Sequence, residues 1–239
     1  MITLNGSVVL VTGSNGGIGK AFVEEFLRRG ASKVYAAARI PLMHDDPRIT
    51  PILVDVSDIQ SIDRAALVAT DVSIVVNNAG VLGASPLLSA SVNEIELIMA
   101  VNFVGPIRIA QAFAPILASN GGGALVNVHS IASWLGGTGG YGASKAALWS
   151  ATNSLRLELR QQNSLVQGLH FGYTDTKMTV GLDVSKNDPR DIVRQSLNGL
   201  EAGTSEVLAD ARTKLAKSRL AGDPLGLELQ AIRLEPNPG

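Results

Sequence analysis

The chain has 239 residues, 46% hydrophobic and only 4% aromatic, with no cysteine and with 20 basic residues against 21 acidic ones. That length suits one large α/β domain over residues 1–239 and is short for two. The balanced charge gives no electrostatic footing for nucleic acid or an anionic membrane, and the missing cysteines remove disulfides, thiolate metal sites and cysteine nucleophiles while fitting a reducing compartment.

The first apolar run, Val8 to Val11, is too short for a signal-peptide core and lacks a basic leader, and no other stretch approaches a membrane span, so a cytosolic location is expected. Short apolar runs recur at Ser7 to Thr12, Lys33 to Ala38, Pro51 to Asp55, Val72 to Asn77, Ala124 to His129, Leu165 to Phe171 and Glu206 to Leu208. Their alternation with longer helical patterns predicts a doubly wound parallel sheet of about seven strands, covered by helices on both faces. The first helix is expected from Gly17 to Arg29, with Gly30 as a left-handed cap. Long helices are expected over Ser91 to Leu117, bent by Gly105-Pro106 and Pro115, and over Tyr141 to Gln162. Arg39 to Thr50, with Pro41 and Pro47, reads as a loop, and Ala211 to Leu220 as a basic helix before a Gly/Pro/Asn-rich tail.

Thr12-Gly13-Ser14-Asn15-Gly16-Gly17-Ile18-Gly19 follows the first strand and opens the first helix, with four glycines in seven residues. Such a turn allows close backbone approach and offers free N–H groups to a pyrophosphate, so Gly13, Ser14, Asn15, Gly17, Ile18 and Gly19 are candidate cofactor contacts. About 20 residues on, an acid would read an NAD ribose, but the strand ends Ala37-Ala38-Arg39. A guanidinium there favours the 2′-phosphate of NADP, while Asp45 or Asp46 could still reach the ribose. Asp55 and Val56 would lie near the adenine, although Asp55, Ser57 or Asp58 could equally cap a helix.

Tyr141 and Lys145 lie four apart in Gly139-Gly140-Tyr141-Gly142-Ala143-Ser144-Lys145, on one face of the expected helix. A cation beside a phenol lowers its pKa from about 10 towards the range useful for proton transfer to a carbonyl oxygen.

Taken together, these residues resemble the compact form of the short-chain dehydrogenase/reductase family over roughly residues 5 to 180. Thr12 to Gly19 is similar to its glycine loop, Asn77-Asn78-Ala79-Gly80 to its Asn-Asn-Ala-Gly motif, and Asn102, Ser130, Tyr141 and Lys145 to its catalytic tetrad. Arg39 points to NADP(H) in preference to NAD(H), and no metal is expected because His44 and His170 lack ligand spacing. The resemblance implies a Rossmann-type fold, a small carbonyl or alcohol substrate, and a homodimer or higher oligomer packed through the helices around Asn102 and Tyr141. It implies that Tyr141 exchanges a proton with the carbonyl oxygen while Lys145 lowers its pKa and holds the nicotinamide ribose. Ser130 would hold the substrate oxygen, and Asn102 would position a water linking Lys145 to solvent. Asn78, Ala79 and Gly80 would bring backbone against the cofactor, and Thr174 and Thr176, after Phe171-Gly172, would contact the carboxamide.

Phe171 stands where the family has proline, and the Ser130 to Tyr141 interval is a residue or two short, which makes Ser133 a reserve for Ser130. The lid is expected over about residues 177–200, and its segment Met178 to Asp188 reads as short and polar, which implies an open, permissive site. His129 beside Ser130 invites a hydrolytic triad, but adjacent strand residues point to opposite faces. A cofactor-binding regulator and a nucleotide-sugar epimerase or dehydratase are the other readings; the intact tetrad argues against the first and the compact length against the second.

Overall fold

A computed structural model describes residues 2–83 and 85–228. Much of the expected tail, 229–239, therefore lies outside the described residues. Seven strands form one parallel sheet in the order β3-β2-β1-β4-β5-β6-β7: β1 (Val8–Thr12), β2 (Lys33–Ala38), β3 (Ile49–Leu53), β4 (Ile74–Asn77), β5 (Gly123–Val128), β6 (Ser164–His170) and β7 (Glu206–Leu208). The expected Rossmann-type doubly wound sheet is thus present. The order reverses between β1 and β4, and a crevice opens at the carboxyl ends of strands at such a switch point.

Alternate residues of each strand feed two cores. Val9 and Val11 of β1, Ile74 and Val76 of β4 and Ala124 and Val126 of β5 meet α1 (Gly17–Arg28) and α6 (Pro189–Ala202) through Phe22, Phe26, Ile192 and Leu197. Leu10, Val75 and Leu125 face α2 (Ile59–Val68) and α4 (Gly105–Ser119) through Ile62, Ile109, Phe113 and Leu117. Each large apolar side chain so buried contributes about 1.5–3 kcal/mol. α5 (Gly139–Glu158) shares the second face, through Leu155, and α7 (Ala211–Ser218) lies beyond β7.

Four expectations are corrected. β3 begins at Ile49, two residues earlier than expected, because at the sheet edge Pro51 can sit inside a strand, paired with Ala36. The run from Ser91 is divided ahead of Gly105-Pro106, as α3 (Val92–Met99), a π-helical segment (Ala100–Val104) and then α4, which carries Pro115 without breaking. By length and apolar content this run, Val92–Ser119, could cross a bilayer, contrary to the expectation that none approaches a span; its buried side chains belong to the core. Residues from Pro189 onward form a core helix packed on α1, so the lid segment ends near Asp188. Gly30 caps α1 at φ +84°, as expected.

Candidate active site

The carboxyl ends of β1, β4, β5 and β6 enclose a cavity of about 800 Å³ lined by Gly13, Gly16, Gly17, Ile18, Asn78–Gly80, Ser130, Tyr141, Lys145, Gly172, Thr174 and Thr176, among others. On its β1 side the glycine turn is clamped to the strand that follows it in the sheet. Thr12 Oγ1 donates to the Val76 carbonyl and accepts from the amides of Asn78 and Ala79, and Asn78 Nδ2 donates to the carbonyls of Thr12 (2.9 Å) and Gly13 (3.2 Å). Gly13 is at φ +66° and a Cβ on it would stand 3.0 Å from Ala79 Cα; on Gly19 it would stand 2.1 Å from the Gly13 carbonyl oxygen. Thr12 thus adds a residue to the candidate site, and its place directly before the first glycine of the turn is the signal for it.

At Gly16 a Cβ would meet nothing within 4 Å, α1 has no side-chain cap, and no acid stands in its first turn. An uncapped helix start facing an open cleft fits the pyrophosphate of a dinucleotide. Ser14 and Asn15 serve the frame instead: Ser14 Oγ donates to the Ala37 carbonyl, and Asn15 Nδ2 donates to the Ile40 carbonyl, which fixes the backbone just after Arg39. Arg39 itself is exposed beyond the cavity. Asp46 is ion-paired to Arg48 at 2.7 Å. The Asp55 carboxylate accepts from the Ser57 hydroxyl and amide, which hold its pKa below the usual range, with Arg39 adding a small pull. Asp58 caps α2, and neither Asp55 nor Val56 lines the cavity.

Tyr141 and Lys145 share one face of α5, as the spacing predicts, with Nζ 5.8 Å from the ring centre. Lys145 Nζ donates to the Val128 carbonyl at 2.8 Å, and burial lowers its pKa to about 8. The expected lowering of the phenol does not appear: burial raises the Tyr141 pKa, and the opposing pull comes from a hydrogen bond with the Ser130 side chain, not from Lys145. Ser130 Oγ also accepts from Ala132 N and starts the 3-10 turn Ile131–Ser133. Ser130 lines the cavity beside Tyr141, and Ser133 does not, so the shorter interval is absorbed without moving the serine away.

Asn102 is fully buried in the π-helical segment. Its Nδ2 donates to the Val81 carbonyl and to Ser144 Oγ, and its Oδ1 accepts from Val81 N. Both amide protons therefore stay within the protein, which leaves the side chain as a brace for the turn after Gly80. The Asn102 carbonyl has no α-helical donor, because the residue four on is Pro106.

Past β6, the Phe171 carbonyl accepts from Ile131 N, so the residue standing in place of proline ties the ends of β5 and β6 together. Gly172 N donates to Asp210 Oδ2 at 2.6 Å. That carboxylate also accepts from Asn187 Nδ2, Thr213 N and Thr213 Oγ1. Thr174 and Thr176 follow along the cavity wall, with Thr176 capping a short turn. The lid segment is not polar as expected: Met178, Val180, Leu182 and Val184 are all exposed. His129 turns away from Ser130, bonding Thr152 Oγ1 and stacking on His170 at 4.6 Å, which removes the triad. Among the described residues no His/Asp/Glu cluster could hold a metal.

The sequence model of a family described as "short chain dehydrogenase" matches residues 7–187. The chain is 32% identical over 203 residues to a sorbitol dehydrogenase of Cereibacter sphaeroides, covering 80% of this chain and 79% of that one. A short chain dehydrogenase from Burkholderia cenocepacia J2315, solved in complex with NADP, superposes with a TM-score of 0.89 at 34% identity, over 97% of this chain and 100% of that one. A short chain dehydrogenase/reductase from Burkholderia phymatum, solved with NAD, shares the fold with a TM-score of 0.83 at 23% identity, over 99% of each chain.

Proposed function

This chain belongs to the short-chain dehydrogenase family, and from that premise we propose that it interconverts a carbonyl compound and its alcohol, with Tyr141 as acid and base and NADP as the preferred cofactor. The observation that carries the reading is the convergence of Ser130, Tyr141 and Lys145 on one cavity whose other end is the uncapped start of α1.

When bound, the nicotinamide would supply or take up a hydride. In the reducing direction the Tyr141 hydroxyl gives its proton to the carbonyl oxygen, and in the oxidising direction it takes that proton back. Ser130 Oγ, beside the phenol, is placed to donate to the same oxygen as negative charge develops. Lys145, with a pKa of about 8, is mostly protonated at neutral pH, and its charge favours the phenolate left after proton transfer. Gly13, Gly17, Ile18 and Gly19 would hold the pyrophosphate, Asn78 to Gly80 the nicotinamide ribose, and Thr174 and Thr176 the carboxamide. Arg39, at the end of β2 where an NAD-reading acid would stand, supports the 2′-phosphate of NADP over a bare ribose. A cytosolic, self-associating enzyme with a small-molecule partner is part of the same reading, on the family likeness.

Tyr141→Phe tests it. The variant should keep NADPH binding, followed by cofactor fluorescence, and lose about 10²–10⁴-fold in NADPH consumption with aldehydes and ketones. Turnover retained within about tenfold of wild type would remove Tyr141 from the acid/base role.

A further inference from the structure

The substrate half of the cavity has two apolar lips. One carries Leu82, Pro86 and Leu87, with the leucines 52% and 55% exposed, and the other carries Met178 and Leu182, at 42% and 44%. All five line the cavity that holds Tyr141. Apolar side chains on both sides of a reaction cleft gain by having apolar ligand surface between them.

The charged groups of that lining have other duties or sit at its edge. Lys145 is bound to the Val128 carbonyl, His129 is bound to Thr152 and neutral by burial, and Lys177 is exposed on the lid. Among the described residues no carboxylate lines the cavity to accept bonds from sugar hydroxyls, and no arginine lines it to fork a carboxylate. Beside Tyr141 the wall is Gly137-Thr138-Gly139; a Cβ on Gly137 would meet nothing within 4 Å, and Thr138 Oγ1 is turned to the Leu135 carbonyl. Gly137 thus offers room, not a polar anchor, for a second substituent, whereas Gly139 packs against the Ser85 carbonyl.

We propose that this cleft takes an uncharged ketone or secondary alcohol with an apolar body of aryl-alkyl or branched-alkyl bulk, held between Leu82/Leu87 and Met178/Leu182, and discriminates against sugars, polyols and keto acids. The proposal rests on the carbonyl–alcohol reading of the same site. It separates this chain from what the name of its sorbitol dehydrogenase relative would suggest.

The test is a kcat/KM series with NADPH over methyl alkyl ketones of rising length, aryl alkyl ketones, a ketohexose and a keto acid. The expected result is a rise of about two- to fourfold per added methylene, as partial burial gives, and aryl ketones about 100-fold above the sugar and the keto acid. Leu182→Glu and Leu87→Glu alter exposed side chains that the fold does not need, and should lower kcat/KM for the aryl ketone about tenfold while leaving NADPH binding and circular dichroism unchanged. As a readout apart from turnover, the same ketones should raise the Tm of the NADP-loaded protein, and the ketohexose should not. Tyr141-dependent turnover that favours the sugar, or lip variants that leave the aryl preference intact, would overturn the substrate class alone. Aryl-ketone turnover that survives Tyr141→Phe would instead overturn the underlying reading. A Tm unmoved by every ketone would count against the apolar cleft itself.

Discussion

At the scale of single residues, the cavity gathers groups whose work depends on near neighbours. Gly13, Gly16, Gly17 and Ile18 of the glycine turn, Asn78 to Gly80, and the i, i+4 pair Tyr141 and Lys145 line the cavity, whereas Ser14, Asn15 and Gly19 do not. The electrostatics were less legible, since the Tyr141 pKa is governed first by burial, which no local pattern reveals. Asn102 shows the same limit. Its two amide protons go to Val81 and Ser144, partners fixed only when the turn after β4, the π-helical segment and α5 have come together. Arg39 is the residue-scale test of cofactor choice: Asp55, which feels its charge, is bonded to Ser57, and Asp46 is paired with Arg48. A charge-assisted bond is worth about 1.5–3 kcal/mol, so Arg39→Ala should weaken NADPH binding about 10- to 100-fold and NADH binding less than about twofold. Fluorescence titrations at one fixed salt concentration decide it, and equal losses for both cofactors would refute the phosphate contact.

Elements were read well where one period dominates and poorly where tertiary context decides. The seven strands and the ends of α1 follow the apolar runs and Gly30, whereas β3 slid by two residues because its tolerance of Pro51 depends on lying at the edge. The extent of the lid was misread because the apolar face of α6 is spoken for by α1, a partner far away in sequence. Asp210 is the clearest joint between elements: it caps α7 through Thr213 and reaches 38 residues back to the Gly172 amide, while also holding Asn187. Its place as a helix cap was readable, but its grip on the turn after β6 was not. Asp210→Ala removes a cap and leaves a part-buried amide without its acceptor, so unfolding in urea should show a loss of about 2–3 kcal/mol. NADPH affinity should fall as well, since Gly172 and Thr174 line the cavity. Asp210→Asn keeps an oxygen for the cap and should recover part of the stability. An alanine variant with unchanged urea midpoint and unchanged NADPH affinity would show that the carboxylate holds nothing in place.

For the whole molecule, a reversal of strand order puts the cavity between β1 and β4, and the same packing buries a polar stack behind it. His129, His170 and Trp134 lie ring on ring, with His129–His170 centres 4.6 Å apart and Trp134–His170 centres 4.3 Å apart. Thr152 faces His129, and Lys145, Arg156 and Lys217 contribute positive charge from α5 and α7; Glu206 on β7 approaches His170 Nε2 at 3.6 Å. Burial is the main reason both imidazoles stay neutral: it takes His129 well below the ordinary value and His170 to about 4, where Glu206 only partly opposes the fall. As pH drops below the unfolded value of about 6.5, the unfolded chain therefore binds protons that the folded chain refuses, and stability falls. It is fully present above that value, and the His170 share is lost by about pH 4. The slope is about 1.4 kcal/mol per pH unit for each histidine, so about 2.7 for the pair. Glu25, held at about 2 first by Arg28, enters only below the ordinary glutamate range, which leaves the interval above it to the histidines. Urea unfolding should approach that slope as the pH falls below about 6 towards about 5. His170→Phe, which keeps a ring in the stack, should roughly halve it; a slope unaffected by the substitution would mean that the stack takes up its protons without opening.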